Sequence, residues 1–515
     1  MSRNDRWNRR DWALAAAFFV AGVILYLPFR SRMAYHWDSA EFVMAMSEYN
    51  IALSQPHAPG YFLYVMLGRC INLLVGDPHA SLVSVSVIFG GALCALMYLL
   101  GTEMFGRRAG AAAALLAMTS PQMWFHSEVA LTYVVDSALV CLMVLWCWKA
   151  MGRGGNWADA CVIGGLVALI GGVRQQTVPL LCPLIACTFW KFSRQRLAKL
   201  CVTAAIAVAL AAAWFVPMIK LSGGLSQYLA IVRRHALNDA QWTLFGGGWK
   251  ALEQNLVLVT AFCWNGMLLG AELLLAALVY RVFLMDVNRK RDWDHSHRVA
   301  LEVLAIWAGP MFVMGVIGPT TQPGYVLSYL PALLLLVSAA VTAWPRLTVW
   351  LGITTAIVAV NVAAFLVWPR HWDRLWFGVG LNARELWQHD RELAQVIEAV
   401  RSKYHPADVL ICHRAVHLGF GLRHFQLYLP EFDQRLLVVD PTTISAAGEP
   451  LNWVHEGRSA PASAVTSRGK QVLLLVVPPG LSLGIYQRHV DVSRAVLIPD
   501  SAGILYALFV GEARQ

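Results

Sequence analysis

The chain is poor in charge: only 14% of its 515 residues are Asp, Glu, Lys or Arg. Among its ten cysteines there is no CxxC pair, and nearly all of them lie in or beside apolar runs. That argues against structural zinc of the cysteine type. Cys412 stands alone in the C-terminal region, which leaves that region no internal disulfide. Nor is there a stripe of basic residues interleaved with aromatic ones, as single-stranded nucleic acid requires. The formal net charge of +10 therefore needs no nucleic acid as partner. No internal repeat is visible. After the first apolar run, Trp12 to Pro28, no convincing small-residue cleavage site follows. Arg3–Arg10 and that run thus read as an uncleaved first transmembrane helix rather than a signal peptide.

What is abundant is apolar surface: 58% of residues are hydrophobic and the mean hydropathy is +0.53. A soluble fold of this size would leave apolar patches exposed to water. The apolar residues come in runs of roughly 18–25, the length that crosses about 30 Å of hydrocarbon as helix. The pattern predicts a membrane all-α protein with about eleven transmembrane helices, at 12–30, 80–105, 109–125, 134–150, 158–174, 177–192, 200–219, 255–284, 299–318, 325–344 and 347–368. Basic tracts at Arg3–Arg10, Arg107–Arg108, Lys149–Arg153, Lys191–Lys199, Arg289–Arg298 and Arg346 alternate with acidic or neutral connections. The positive-inside bias then places the N-terminus in the cytoplasm and the C-terminus outside. A multi-pass protein of a bacterial inner (plasma) membrane fits this pattern.

From about Pro369 the composition becomes that of a small soluble domain. Residues 384–402 carry Leu386, Leu393, Val396, Ile397 and Val400 on one side of a helix. Short apolar runs at Val409–Cys412, Leu436–Val439, Val472–Val477, Ala495–Ile498 and Ile504–Val510 read as strands. Residues 446–470 read as a flexible loop. The expected organisation is a transmembrane unit over 1–369, with an informative first outer loop at 31–79, and an extracytoplasmic α/β or α+β domain over 370–515.

The candidate chemistry lies in the outer connections. Asp38 and Glu41 are three residues apart and share a helical face. They can act as general base or metal ligands, or simply as N-cap and capping-box residues of a short helix. His57 and Tyr61 follow in the same loop. The next outer loop brings His126, Glu128, Tyr133 and Asp136, the last where a carboxylate also favours a helix dipole. Two acidic clusters beside aromatics at a membrane border make a functional hypothesis. Arg174 is a lone charge on the side where topology disfavours it. It can pair with a phosphate, with Gln175 donating further hydrogen bonds, or it can snorkel to lipid headgroups. Gln322 and Tyr325 lie in a Pro- and Gly-interrupted connection whose backbone is free to meet a ligand.

Trp37-Asp38-Ser39-Ala40-Glu41 resembles the Asp-x-Gly-Glu first-loop motif of the C-type polytopic membrane glycosyltransferases, in particular the protein O-mannosyltransferase-like branch. Pro56-His57-Ala58-Pro59-Gly60-Tyr61 is similar to that family's His-Pro-Pro-Gly-Tyr segment. His126-Ser127-Glu128 to Asp136 resembles its second acidic loop, and Gln322-Pro323-Gly324-Tyr325 a later outer motif. Ala40 and Ala58 stand where Gly and Pro are usual. The resemblance implies inverting transfer of a sugar from a polyprenyl-phosphate donor to a glycan, lipid or protein acceptor at the outer face of the bilayer. It implies Asp38 and Glu41 as the catalytic pair, with Asp38 the general base. His57, Tyr61, His126, Glu128, Tyr133, Asp136, Arg174, Gln175, Gln322 and Tyr325 would bind substrate, Arg174 taking the departing phosphate. Some relatives hold a divalent metal ion through such carboxylates, but nothing in the sequence demands a metal or other cofactor. A transporter or flippase of lipid-linked saccharides is the alternative, yet transporters place ionisable groups at the midplane of broken, repeated helices. A non-catalytic subunit of an envelope glycan assembly complex is the other.

Overall fold

The chain is seen here in a computed structural model that describes residues 7–279, 295–344, 346–367, 381–414, 421–438, 459–461, 471–476, 495–499 and 505–511. A helix lies in each of the eleven expected segments. Among the described residues, six are long and apolar enough to cross a bilayer: Arg9–Phe29, Pro78–Phe105, Tyr133–Arg153, Arg196–Leu221, His297–Ile317 and Leu347–Val367. A pair, Leu244–Met267 and Leu269–Leu278, bent by 105°, makes up to a seventh. Phe62–Val75, Trp157–Val173, Thr177–Phe192 and Leu330–Thr342 are apolar but shorter. At about 1.5 Å per residue they reach only roughly 20–26 Å.

The spans are not equivalent. In Pro78–Phe105 and Tyr133–Arg153, 67% and 78% of the apolar window is buried inside the protein, against 17% in Arg9–Phe29 and Arg196–Leu221. The first two form the centre of the bundle and the others present their apolar faces outward, as a lipid-solvated bundle requires. At one end of the bundle Asp11 accepts hydrogen bonds from Arg107 at 2.7 and 2.9 Å and from Tyr98 at 3.1 Å, tying three helices together. The opposite end carries the candidate site. Helices form there where the sequence pattern predicts connections, at Trp37–Ser47 and Leu225–Ala240. The second is amphipathic and too polar to score as a span.

The C-terminal region is α/β. The helix Ala383–Lys403 buries Leu386, Leu393, Val396, Ile397 and Val400, the face expected from their spacing. Six strands follow: β1 Val409–Arg414, β2 Asp433–Val438, β3 Ser459–Pro461, β4 Gln471–Val476, β5 Ala495–Pro499 and β6 Leu505–Gly511. They form one mixed sheet in the order β3-β2-β1-β4-β6-β5. β1 runs parallel to β2 and β4, β2 runs parallel to β3, and β6 is antiparallel to β4 and β5. The loop expected at 446–470 lies outside the described residues apart from β3.

This region grips the segment that leads into the helix Trp37–Ser47. The Asp390 carboxylate accepts the backbone N–H groups of Arg32 at 2.7 Å and Met33 at 3.0 Å. Tyr428 Oη accepts that of Ala34 at 2.8 Å. Phe29 stacks on Trp387 with ring centroids 5.5 Å apart. Backbone groups that would otherwise need water are thus satisfied by side chains far along the chain.

Candidate active site

The helix Trp37–Ser47 is capped by His36, whose Nδ1 accepts the backbone N–H of Asp38 at 3.1 Å. The cap therefore lies two residues earlier than the alternative that made Asp38 the N-cap. Neither Asp38 nor Glu41 is needed to satisfy a helix end, and both carboxylates are free to serve something else.

Glu41 is 2% exposed and fully engaged. Its Oε1 accepts from Trp37 Nε1 at 2.9 Å and lies 3.2 Å from Arg423 Nε. Its Oε2 accepts from the His57 backbone N–H at 3.2 Å and from His57 Nδ1 at 2.7 Å. The other ring nitrogen of His57 is 3.2 Å from Tyr61 Oη. His57 Nδ1 is also 3.8 Å from Asp38 Oδ1, and His36 Nδ1 is 3.6 Å from Asp38 Oδ2. Burial disfavours charge on His57, but Asp38 and Glu41 outweigh it and raise its pKa to about 9. Burial likewise works to raise the Asp38 pKa, yet His57 and His36 beside it hold the carboxyl well below the usual carboxylate range. The arrangement is an ionised carboxylate facing an imidazolium.

The turn that delivers His57 is built on Gly60, at φ +120°. A Cβ there would stand 2.6 Å from Ile51 Cδ1 and 2.8 Å from both Met218 Sδ and Tyr49 Oη, so only glycine fits. Tyr49 also donates to the Gly60 carbonyl at 2.7 Å.

A second arm reaches Asp38 from the opposite side. Gln322 Nε2 donates to Asp38 Oδ2 at 3.4 Å, and Gln322 Oε1 accepts from Tyr133 Oη at 2.9 Å. Gly324 lets that connection lie on Tyr133, since a Cβ there would be 2.2 Å from the ring. Behind Tyr133 sits Arg174, 5% exposed. Its guanidinium lies 4.5 Å from the Tyr133 ring centre and 5.4 Å from that of Tyr325. Nη1 donates to Thr132 Oγ1 at 3.3 Å, and Nε is 4.0 Å from Asp136 Oδ2, an oxygen that also accepts from Thr177 at 3.0 Å. Arg174 therefore points into the protein and does not snorkel to headgroups. Gln175 donates to the Pro59 carbonyl at 3.1 Å and accepts from Tyr228 at 3.3 Å, linking this arm back to the His57 turn.

Two expected residues stand at the margin. His126 packs edge-on to Tyr133 at 5.4 Å and hydrogen-bonds the Gln122 carbonyl through Nδ1 at 2.7 Å. Burial lowers its pKa to about 4, so its ring is neutral. Glu128 keeps company with Trp124 and Tyr26, and burial pushes its carboxyl well above the usual range. The structure also brings in two residues outside the set expected to bind substrate. Arg423 comes from the short helix Leu422–Tyr428. From the helix Leu225–Ala240, His235 faces His57 with ring centroids 6.0 Å apart and lies 3.5 Å from Asp239.

Asp38, Glu41 and His57 each offer a ligand atom, all within 4.8 Å of one another. Two carboxylates and an imidazole suit a divalent cation. Admitting one would break the hydrogen bond between His57 Nδ1 and Glu41.

Residues 56–219 match the model of the dolichyl-phosphate-mannose-protein mannosyltransferase family. No curated protein matches the chain. Among solved structures, ArnT from Cupriavidus metallidurans bound to undecaprenyl phosphate is similar, with a TM-score of 0.57 at 13% identity, covering 97% of this chain and 98% of that one. ArnT from the same organism in the apo state gives 0.54 at 12%, over 96% and 97%. At such identity the likeness concerns the fold. The chain is a multi-pass membrane protein with the fold of the C-type glycosyltransferases.

Proposed function

We propose that the chain moves a sugar from a polyprenyl-phosphate donor to a glycan, lipid or protein acceptor, at the extracytoplasmic face of a bacterial inner membrane. The observation that carries this reading is the pairing of an ionised Asp38 with a buried, sparsely bonded Arg174 through Gln322 and Tyr133. One group takes a proton and the other receives an anion. Support comes also from the similar ArnT structure, which is bound to undecaprenyl phosphate.

In the proposed reaction the acceptor hydroxyl or amine attacks the anomeric carbon from the face opposite the phosphate. The new bond forms as the carbon–oxygen bond to phosphate breaks, and the configuration inverts. The acceptor proton passes to the Asp38 carboxylate. The electron pair of the broken bond stays on the polyprenyl phosphate, whose growing charge meets the Arg174 guanidinium. An anionic phosphate nearby raises the proton affinity of Asp38, so a carboxylate that is a weak base in the free protein becomes a better one with donor bound. Gln322 and Tyr133 fix the distance between the two centres. If a divalent cation binds at Asp38, Glu41 and His57, it supplies further charge stabilisation.

A transfer assay tests the reading. The purified protein in lipid is offered radiolabelled polyprenyl-phosphate hexoses, with a membrane extract as acceptor. Wild type transfers label, and Asp38→Asn is slower by about 10²–10⁴-fold with an unchanged unfolding temperature. Full activity in Asp38→Asn removes it as base. Tight donor binding with no transfer by wild type would turn the reading to a transporter or a non-catalytic subunit.

A further inference from the structure

Arg423 belongs to the C-terminal region, yet its side chain ends at the candidate catalytic helix. Nε is 3.2 Å from Glu41 Oε1, Nη1 donates to Gln426 Oε1 at 2.9 Å, and Nη2 donates to the Leu53 carbonyl at 3.3 Å. Leu53 lies in the loop between that helix and His57. Arg423 is 1% exposed. Apolar side chains of the same volume would hold such an interface about as well as a buried ion pair, so stability alone does not account for a guanidinium here.

What the guanidinium does follows from the two oxygens of Glu41. Arg423 and Trp37 occupy Oε1, which turns Oε2 towards the backbone and ring of His57. His57 Nδ1 in turn lies 3.8 Å from Asp38 Oδ1. The order of contacts is Arg423, Glu41, His57, Asp38.

We propose that Arg423 is a positioning residue of the transfer reaction, acting through Glu41 and His57 to hold Asp38 in register with the acceptor. The C-terminal region then completes the active site instead of merely standing beside it. The proposal rests on Asp38 being the base. Arg423 touches neither substrate nor the reacting atoms, so its removal changes turnover and leaves donor affinity alone. A residue that served only to dock the C-terminal region would lower the melting temperature without altering kcat per folded molecule.

The experiment is a double-mutant cycle in lipid, with polyprenyl-phosphate hexose as donor, comparing Arg423→Gln, Glu41→Gln, the double variant and Asp38→Asn. In Arg423→Gln, kcat falls about ten- to a hundred-fold, the scale of a reacting group displaced by about 1 Å, while donor KM stays within about two-fold. The double variant is no slower than the slower single one, because both act on one chain of contacts. Arg423→Lys restores part of kcat. Additive losses in the cycle, or wild-type kcat in Arg423→Gln while Asp38→Asn is inactive, overturn the proposal. If Asp38→Asn is itself fully active, the base assignment falls and this inference falls with it. Should Arg423→Gln not survive extraction, Arg423→Met takes its place in the same cycle, read by the same criterion.

Discussion

The site holds two buried arginines, and they are employed differently. Arg423 is tied down: its Nε lies 3.2 Å from a Glu41 carboxylate oxygen and two hydrogen bonds reach Gln426 and Leu53. Arg174 has one hydrogen bond, to Thr132 at 3.3 Å, and a carboxylate no nearer than 4.0 Å. The rings of Tyr133 and Tyr325, packed edge to face on each other, lie against it, and most of its five N–H groups have no strong acceptor among the described residues. A guanidinium held by a close carboxylate and two hydrogen bonds acts as a strut. One placed against aromatic faces, with a distant counter-charge, keeps the capacity to bind an incoming anion in forked geometry.

Substituting each arginine separates the two roles. Arg174→Met lowers kcat/KM for polyprenyl-phosphate donor by about 10²–10³-fold, as loss of one charge-stabilising group does, and weakens binding of free polyprenyl phosphate, read by competition. The same competition measurement is unaffected in Arg423→Gln. If Arg174→Met binds the lipid phosphate as well as wild type, Arg174 is no anion site and the contrast collapses.

A smaller effect sharpens the charge assignment on the other arm. His57 must be protonated to hold Glu41 and Asp38 together, and its pKa is raised to about 9. Transfer should therefore be flat through neutral pH and fall as pH rises through about 9, approaching ten-fold per unit beyond it. In kcat/KM, which reports the free enzyme, Asp38, held below the usual carboxylate range, adds no acid limb near pH 4–5. A rate profile from pH 4 to 10.5 checks both statements, and a limb centred near 6.5 would contradict them.

The smallest effect concerns the scaffold. Gly324→Ala and Gly60→Ala each force a methyl into the Tyr133 ring or onto Ile51 and Met218. Each costs about 1–3 kcal/mol of stability, read as a lower melting temperature in detergent. Gly324→Ala also slows transfer, because Tyr133 must move from Gln322. An unchanged melting temperature in both would mean that these turns relax without strain.

Much of the architecture is legible without coordinates, for reasons that differ by region. Apolar runs mark the helices because hydrocarbon tolerates little else, and short continuous apolar runs such as Val472–Val477 mark strands. Asp38 draws notice in an acidic cluster beside aromatics, Arg174 as a lone charge where topology disfavours it, and His57 and Gln322 through the motifs they belong to. Their contacts are another matter. Asp38 resembles an N-cap until the His36 side chain is seen to take that place. Arg423 sits in a seven-residue helix with nothing local to distinguish it, and its partner Glu41 is reached only through the tertiary fold. The helix Leu225–Ala240 has too few apolar residues to register as a span, so the approach of His235 to His57 has no linear signature. Glu128, conspicuous in sequence, turns towards Trp124 and Tyr26.

The grip of Asp390 on the backbone of Arg32 and Met33 also bears on biosynthesis. The amide of Arg32 and the carboxylate it binds are 358 positions apart. At roughly 5–20 residues per second, a ribosome needs about 20–70 s to add that stretch. Throughout that interval the bundle inserts while the segment before Asp38 lacks its anchor. The segment before Asp38 thus stays unanchored until the helix that carries Asp390 has been synthesised and folded.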